Sequence, residues 1–130
     1  MQANDGNFYG TTQNGGNTAC TSGCGTVFRI TPNGKLTRFN FDGTNGSQPF
    51  AGLIQVANGD FYGVTIDGGG YSRGTVFKFT ANGGLITLYS FNPNTGHGSQ
   101  GGLVLASDGK FYGTTRARLG LALPLSSHRA

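Results

Sequence analysis

The tripeptide Phe-Tyr-Gly occurs three times, at Phe8-Tyr9-Gly10, Phe61-Tyr62-Gly63 and Phe111-Tyr112-Gly113, at intervals of 53 and 50 residues. Gly-Thr-Val-Phe starts at Gly25 and again at Gly74, 49 residues on, and an aromatic residue recurs at Phe41 and Phe91, 50 apart. Gly46-Ser47-Gln48 and Gly98-Ser99-Gln100 each lead into a Gly-Leu pair, at Gly52-Leu53 and Gly102-Leu103. A fixed order of markers at a fixed period is the signature of a repeat architecture, in which each unit packs against its neighbours. About 50 residues per unit is therefore the main constraint on the fold.

The second copy can be read strand by strand. Short apolar runs are predicted as strands at 53–56, 60–65, 75–80 and 85–91, separated by Ala57-Asn58-Gly59, the loop Asp67-Gly68-Gly69-Gly70 and Ala81-Asn82-Gly83-Gly84. Asn-Gly pairs between such runs are hairpin turns, because Gly accepts positive φ. Thr31-Pro32-Asn33-Gly34 in the first copy is a stronger turn, since Pro also presets φ. Gly makes up 25 of 130 residues, far above the usual ~7%, which fits many tight turns. Pro is only 4 and Gly has no three-residue period, so collagen is excluded.

Alternation predicts which faces are apolar. Phe77 and Phe79 share a face with Thr75, whereas Val76 points the other way, and Phe61 and Tyr62 oppose each other. Apolar side chains on both faces require sheets covered on both sides. The expected fold is all-β: propeller-type tandem repeats of four-stranded antiparallel blades, about two and a half of them, in an incomplete ring. A β-sandwich is the rival, and the Trp-Asp marker of WD40 blades is absent. The repeat domain is read as residues 1–115, with units at about 1–47, 48–97 and 98–115.

Aligned on Phe-Tyr-Gly, Met1 falls opposite Ile54 and Val104, so the chain is expected to begin inside a first strand. After Thr115 the repeat stops and residues 116–130 form a tail holding four of the ten leucines. The tail reads as out of frame or following a truncation. Its alternative is a capping strand, with Leu119, Leu121, Leu123 and Leu125 alternating and Pro124 confining it to an edge.

The net charge of +4 is concentrated in that tail, at Arg116, Arg118 and Arg129, and the repeat body carries only +1. No clustered basic face for nucleic acid is expected. No run of 18 apolar residues exists, so no membrane-spanning helix is expected, and Gln2 to Gly6 is too polar for a signal peptide.

Candidate chemistry is sparse. Cys20 and Cys24 lie in a loop four residues longer than its counterpart in the second copy. The pair reads as a local disulfide stapling that loop, with free thiols as the alternative. A metal site would lack its remaining ligands. A disulfide would indicate an oxidising compartment. His97 reads as a solvated loop residue, and His128 falls in the tail. Asp42-Gly43-Thr44-Asn45-Gly46 has an oxygen-rich look but lacks the full calcium pattern and its distal Glu. Gly68-Gly69-Gly70 and Gly15-Gly16 lack the Gly-Lys-Ser/Thr ending of a phosphate loop. Asp5, Asp60 and Asp108 read as turn residues, with a ring of acids at one blade end as the alternative. Tyr9, Tyr62 and Tyr112 read as core rather than sugar-stacking platforms. No catalytic, cofactor-binding or metal-binding residue is singled out, and no cofactor is expected.

Phe8-Tyr9-Gly10-Thr11-Thr12, the stretch from Gly23 to Ile30, Pro32 to Thr37, and Gly101 to Thr115 resemble the GloVer repeat of bacterial tandem-repeat proteins with a choice of anchors. The resemblance covers residues 1–115. It implies a secreted or surface-anchored protein with many repeats and implies no activity. The tail departs from it, and members often carry Leu or Val where Met1 stands. The expected function is a non-enzymatic extracellular module, a propeller fragment binding a protein or glycan through loops 13–22, 66–73 and 92–100. One alternative is part of a propeller enzyme, such as a glycan lyase or hydrolase. Another is a self-assembling module that completes its ring as a homo-oligomer.

Overall fold

The computed structural model describes residues 1–50, 52–94, 96–98, 103–113 and 115–116. Among these residues the chain is all-β, with every strand pairing antiparallel, no helix and no closed sheet. The alternating leucines at 119–125, His128, Arg118 and Arg129 lie outside the described residues.

The first sheet has the order β1 (Phe8–Thr12), β2 (Thr26–Ile30), β3 (Leu36–Asn40). Met1 and Gln2 add to its free edge: the Met1 and Tyr9 backbones exchange hydrogen bonds of 2.9 Å each way, and Gln2 bridges Phe8. The middle sheet consists of β4 (Ser47–Pro49), β5 (Ile54–Gln55), β6 (Phe61–Asp67), β7 (Thr75–Phe79) and β8 (Leu85–Ser90). The third unit contributes β9 (His97–Gly98), β10 (Val104–Leu105), β11 (Phe111–Tyr112) and β12 (Thr115–Arg116), paired as β10 with β11 and β9 with β12. Met1, Ile54 and Val104 each pair with the Tyr of a Phe-Tyr-Gly, so the units are in one register.

Two details depart from the sequence reading. The strand expected at 53–56 is a split edge strand: Pro49 pairs with Thr65, but Ile54 pairs with Tyr62, so the edge carries two residues more than its partner. Pro49 has no N–H to give the ladder, and Pro is tolerated on an edge where the chain leaves it. The second detail is a bulge in β8. Val76 pairs with Tyr89 and Phe77 with Thr87, leaving Leu88 as the extra residue. This bulge accounts for the unequal spacings of 49 from Phe28 to Phe77 and 50 from Phe41 to Phe91.

The middle sheet is covered on both faces. On one side Phe61, Phe77 and Phe79 pack with Tyr9, Val27 and Phe41 of the first unit, and Leu53, Leu85 and Phe39 close the cluster. On the other side Tyr62, Val64, Val76 and Phe91 pack with Leu103 and Phe111 of the third unit. Each fully buried aromatic ring contributes about 1.5–3 kcal/mol of transfer free energy. One contact is repeated at both seams. Tyr9 meets Phe61 at 4.4 Å between ring centroids and 37°, and Tyr62 meets Phe111 at 4.4 Å and 33°. The two tyrosines are thus core, and each offers its ring to the Phe of the next unit.

The ring of Phe77 lies across Gly63, where an added Cβ would stand 2.6 Å from Phe77 Cζ. Only glycine lets the ring lie flat on the neighbouring strand at that position. Gly10 and Phe28 repeat the arrangement in the first sheet, again at 2.6 Å.

Candidate functional site

Antiparallel strands send their connections alternately to two ends of a sheet, and here the two ends differ in kind. One end carries tight turns. Gly6, Gly59 and Gly109 donate to the carbonyls of Ala3, Val56 and Ala106, and Gly34 and Gly83 to those of Thr31 and Thr80, at 2.8–3.0 Å. The other end carries the long connections between β1 and β2, β3 and β4, β6 and β7, and β8 and β9; of the loops expected to make contacts, 13–22 falls within them, whereas Ile66 and Asp67 belong to β6 and His97, expected in a loop, is in strand β9. Residues 95, 99 and 100 of the expected loop 92–100 lie outside the described residues.

The long connections pack on one another. The Gly69 amide donates to the Gly43 carbonyl at 2.9 Å, and a Cβ at Gly68 would stand 2.7 Å from that same oxygen. Gly68 is thus spent on loop-to-loop packing, not on cradling a phosphate. Cys20 and Cys24 stand beside Gly43 with their sulfurs 2.03 Å apart and their Cα atoms 5.0 Å apart. Cys24 is fully buried, and its carbonyl accepts a 2.7 Å bond from the Gln48 amide, tying the loop to the middle sheet.

Backbone strain gathers at this end. Ser22, Gln48 and Ser72 have φ of 70°, 57° and 57°, and they are the non-glycine residues in the left-handed region among those described. A non-glycine residue held there costs of order 1 kcal/mol or more and persists only when its surroundings enforce it. Tyr71, next to Ser72, projects from loop 68–74 with 59% of its surface exposed. Tyr71 was not singled out from the sequence. Its signal was available, because it is an aromatic residue with no aromatic counterpart in the first copy.

The structure brings His97 to Asp67, with Nε2 3.0 Å from Oδ1. The pair links the middle sheet to the third unit, and its 30-residue separation hid it from the sequence. Asp42 is engaged in its own turn. Its carboxylate accepts the Thr44 hydroxyl at 2.7 Å and the Asn45 amide at 3.0 Å, and these bonds hold its pKa below the ordinary carboxylate value.

The three aspartates grouped with turns do not form a ring. Asp5 and Asp108 are equivalent, each accepting a backbone amide two residues on and the Tyr hydroxyl four residues on, at 2.7 Å from Tyr9 and 2.8 Å from Tyr112. In the middle unit Asn58 takes that place, and Asp60 instead faces Lys78 at 4.0 Å. Burial alone would raise the Asp5 pKa, but the Tyr9 hydroxyl and Asn7 amide outweigh it and the net shift is downward. The Lys110 amide, with the Tyr112 hydroxyl, lowers Asp108.

Among the described residues no three His, Cys, Asp or Glu side chains gather as metal ligands, and no helix is long and apolar enough to cross a membrane. Two open clefts of about 530 and 270 Å³ lie along the outer side of the first sheet, and the larger reaches Gly16 of the long connection 13–25. Gly16 and Asn40 line one, Thr12, Thr26, Phe28 and Ile30 the other, and Leu36 and Arg38 both.

No curated protein and no solved structure gives a significant match to the chain. The sequence model of the Gloeobacter/Verrucomicrobia repeat matches residues 1–120, across all three Phe-Tyr-Gly units whose seams repeat the same tyrosine-on-phenylalanine contact, and the chain belongs to that repeat family.

Proposed function

We propose that this chain is a propeller-type repeat module, extracellular or displayed at the cell surface, that binds a glycan or protein through its long-loop end. The propeller reading is supported by two seams with the same ring-on-ring contact and by a middle sheet covered on both faces. The binding reading rests on one observation above all. Ser22, Gln48 and Ser72, the strained non-glycine residues, all stand at the long-loop end. Strain of this kind is retained where a surface must hold a defined shape. The exposed Tyr71 ring, near Arg73, supplies an apolar face with a polar rim of the sort that stacks on a sugar.

The Cys20–Cys24 staple, as a disulfide, fits an oxidising compartment. Titration of the unfolded, unreduced protein with a thiol reagent tests it: no free thiol supports the reading, and two free thiols remove this support for an extracellular setting. The binding surface is tested on a glycan array probed with the wild-type chain and with Tyr71→Ser. A discrete set of glycans whose signal falls at least tenfold in the variant supports the loop end as the binding surface. Glycan binding unchanged by Tyr71→Ser places the surface elsewhere, and no binding at all removes the glycan arm.

A further inference from the structure

We infer, resting on the glycan reading of the long-loop end, that Tyr71 and Arg73 form a subsite for a carboxylate-bearing sugar, a uronic acid residue of a glycan. Both stand on loop 68–74, which joins β6 to β7 in the middle unit, the unit with a neighbour on each face.

The loop is a fixed frame. The Gly74 amide closes its base on the Gly68 carbonyl at 2.9 Å, and the Ser72 amide reaches the Gly69 carbonyl at 3.4 Å, which puts Gly70 and Tyr71 at the tip of a turn. The Ser90 hydroxyl accepts the Gly70 amide at 3.3 Å and braces that tip against β8. A Cβ at Gly74 would collide with the Thr65 carbonyl oxygen, so the end of the loop is pressed onto β6. From this frame the Tyr71 ring is exposed and Arg73 is half-buried.

Arg73 is the residue that names the ligand. Arg29 donates to the Ala81 carbonyl and lies over the Phe39 ring, and Lys78 faces Asp60. Among the described residues nothing accepts a hydrogen bond from the Arg73 guanidinium, and no aromatic ring lies beneath it. The carboxylates of the same end are already engaged, Asp42 by Thr44 and Asn45 and Asp67 by His97. A guanidinium presents a planar fork of donors that matches a carboxylate at two points. Two residues away, Tyr71 offers an apolar face on which a sugar ring stacks. A neutral sugar uses the ring alone, whereas a uronic acid uses both groups. The first unit lacks the subsite: aligned on Gly25 and Gly74, Cys24 stands in the place of Arg73, fully buried and crosslinked to Cys20.

Calorimetric titration of the intact chain with polygalacturonate, alginate and hyaluronan, with their carboxyl-reduced forms, with neutral dextran and with dextran sulfate tests this. At least one uronate polymer is expected to bind, and its carboxyl-reduced form is expected to bind about tenfold more weakly or worse, the scale of one charged hydrogen-bond pair. Arg73→Gln is expected to lose as much with unchanged circular dichroism. Arg73→Lys is expected to recover only part of the loss, because it restores the charge without the fork. Equal binding of a uronate polymer and its carboxyl-reduced form overturns the inference. So does binding of dextran sulfate as tight as that of any uronate and unchanged by Arg73→Gln, which is attraction to charge alone. Binding of dextran but of no uronate polymer overturns the inference and leaves the glycan reading standing. Silence of every polymer overturns it as well, and the glycan array then decides whether the wider reading falls with it.

Discussion

The first and middle sheets share their strand pattern, their tight turns and their Gly-Phe crossing, yet they differ in what covers them. Phe61 in the middle sheet is inaccessible, and Phe8 in the first sheet is 42% exposed. A side chain in a repeat is buried by the next unit rather than by its own, so identical motifs can have very different energetic weight. The comparison also separates the two ends of the molecule. The tight-turn end is nearly the same in each unit, while the long-loop end differs in length and crosslinking.

The widest gap is expected between equivalent phenylalanines. Phe77→Ala empties a site that is 1% exposed and should cost about 3–5 kcal/mol in urea unfolding. Phe28→Ala, at the half-buried equivalent position, should cost about 1 kcal/mol or less in the monomer. Equal losses would break the distinction between the sheets. Next come the glycines beneath those rings. Gly63→Ala pushes a Cβ to 2.6 Å from a locked ring and should cost about 1–3 kcal/mol. Gly10→Ala should cost less, because the Phe28 ring can swing outward, and the urea midpoints of the two variants make the comparison.

Reduction of the Cys20–Cys24 bond, in a loop that is crosslinked only in the first unit, should lower stability by about 2 kcal/mol at most, since the ring it closes is short. Matched urea curves with and without reductant measure it. The smallest effect concerns pH. Asp5, Asp42 and Asp108 have folded pKa values below their ordinary value. Their stabilisation is therefore fully present above the unfolded pKa of about 3.9 and is lost as pH falls through the lower folded values. Asp5→Asn, which copies the Asn58 of the middle unit, should flatten part of the stability loss below about pH 3.9. An unchanged acid limb would show that the Asp5 turn contributes nothing there.

Much of the fold was legible before any coordinates. The period, the order of strands in the middle unit and the turns at Asn33-Gly34 and Asn82-Gly83 follow from residues whose preferences act over a few positions. So does the separation of Phe77 and Phe79 from Val76 and of Phe61 from Tyr62, because strand alternation is strictly local, whereas the register decided that Phe61 shares its face with Phe77 and Phe79. The site was less legible. Loops could be located by length, but the strained Ser22, Gln48 and Ser72 and the Asp67–His97 pair could not, because each depends on contacts between distant segments.

By itself, then, the sequence determined the repeat, its β character and the two apolar faces of each sheet. The tertiary structure alone decided which faces are covered, where β4 and β5 part at Pro49, that Leu88 is the bulged residue, and that Phe8 is left bare. The physical reason is one of range. Turn chemistry and alternation are set by covalent neighbours, whereas burial and register are set by whichever sheet lies alongside, and no single repeat carries that information.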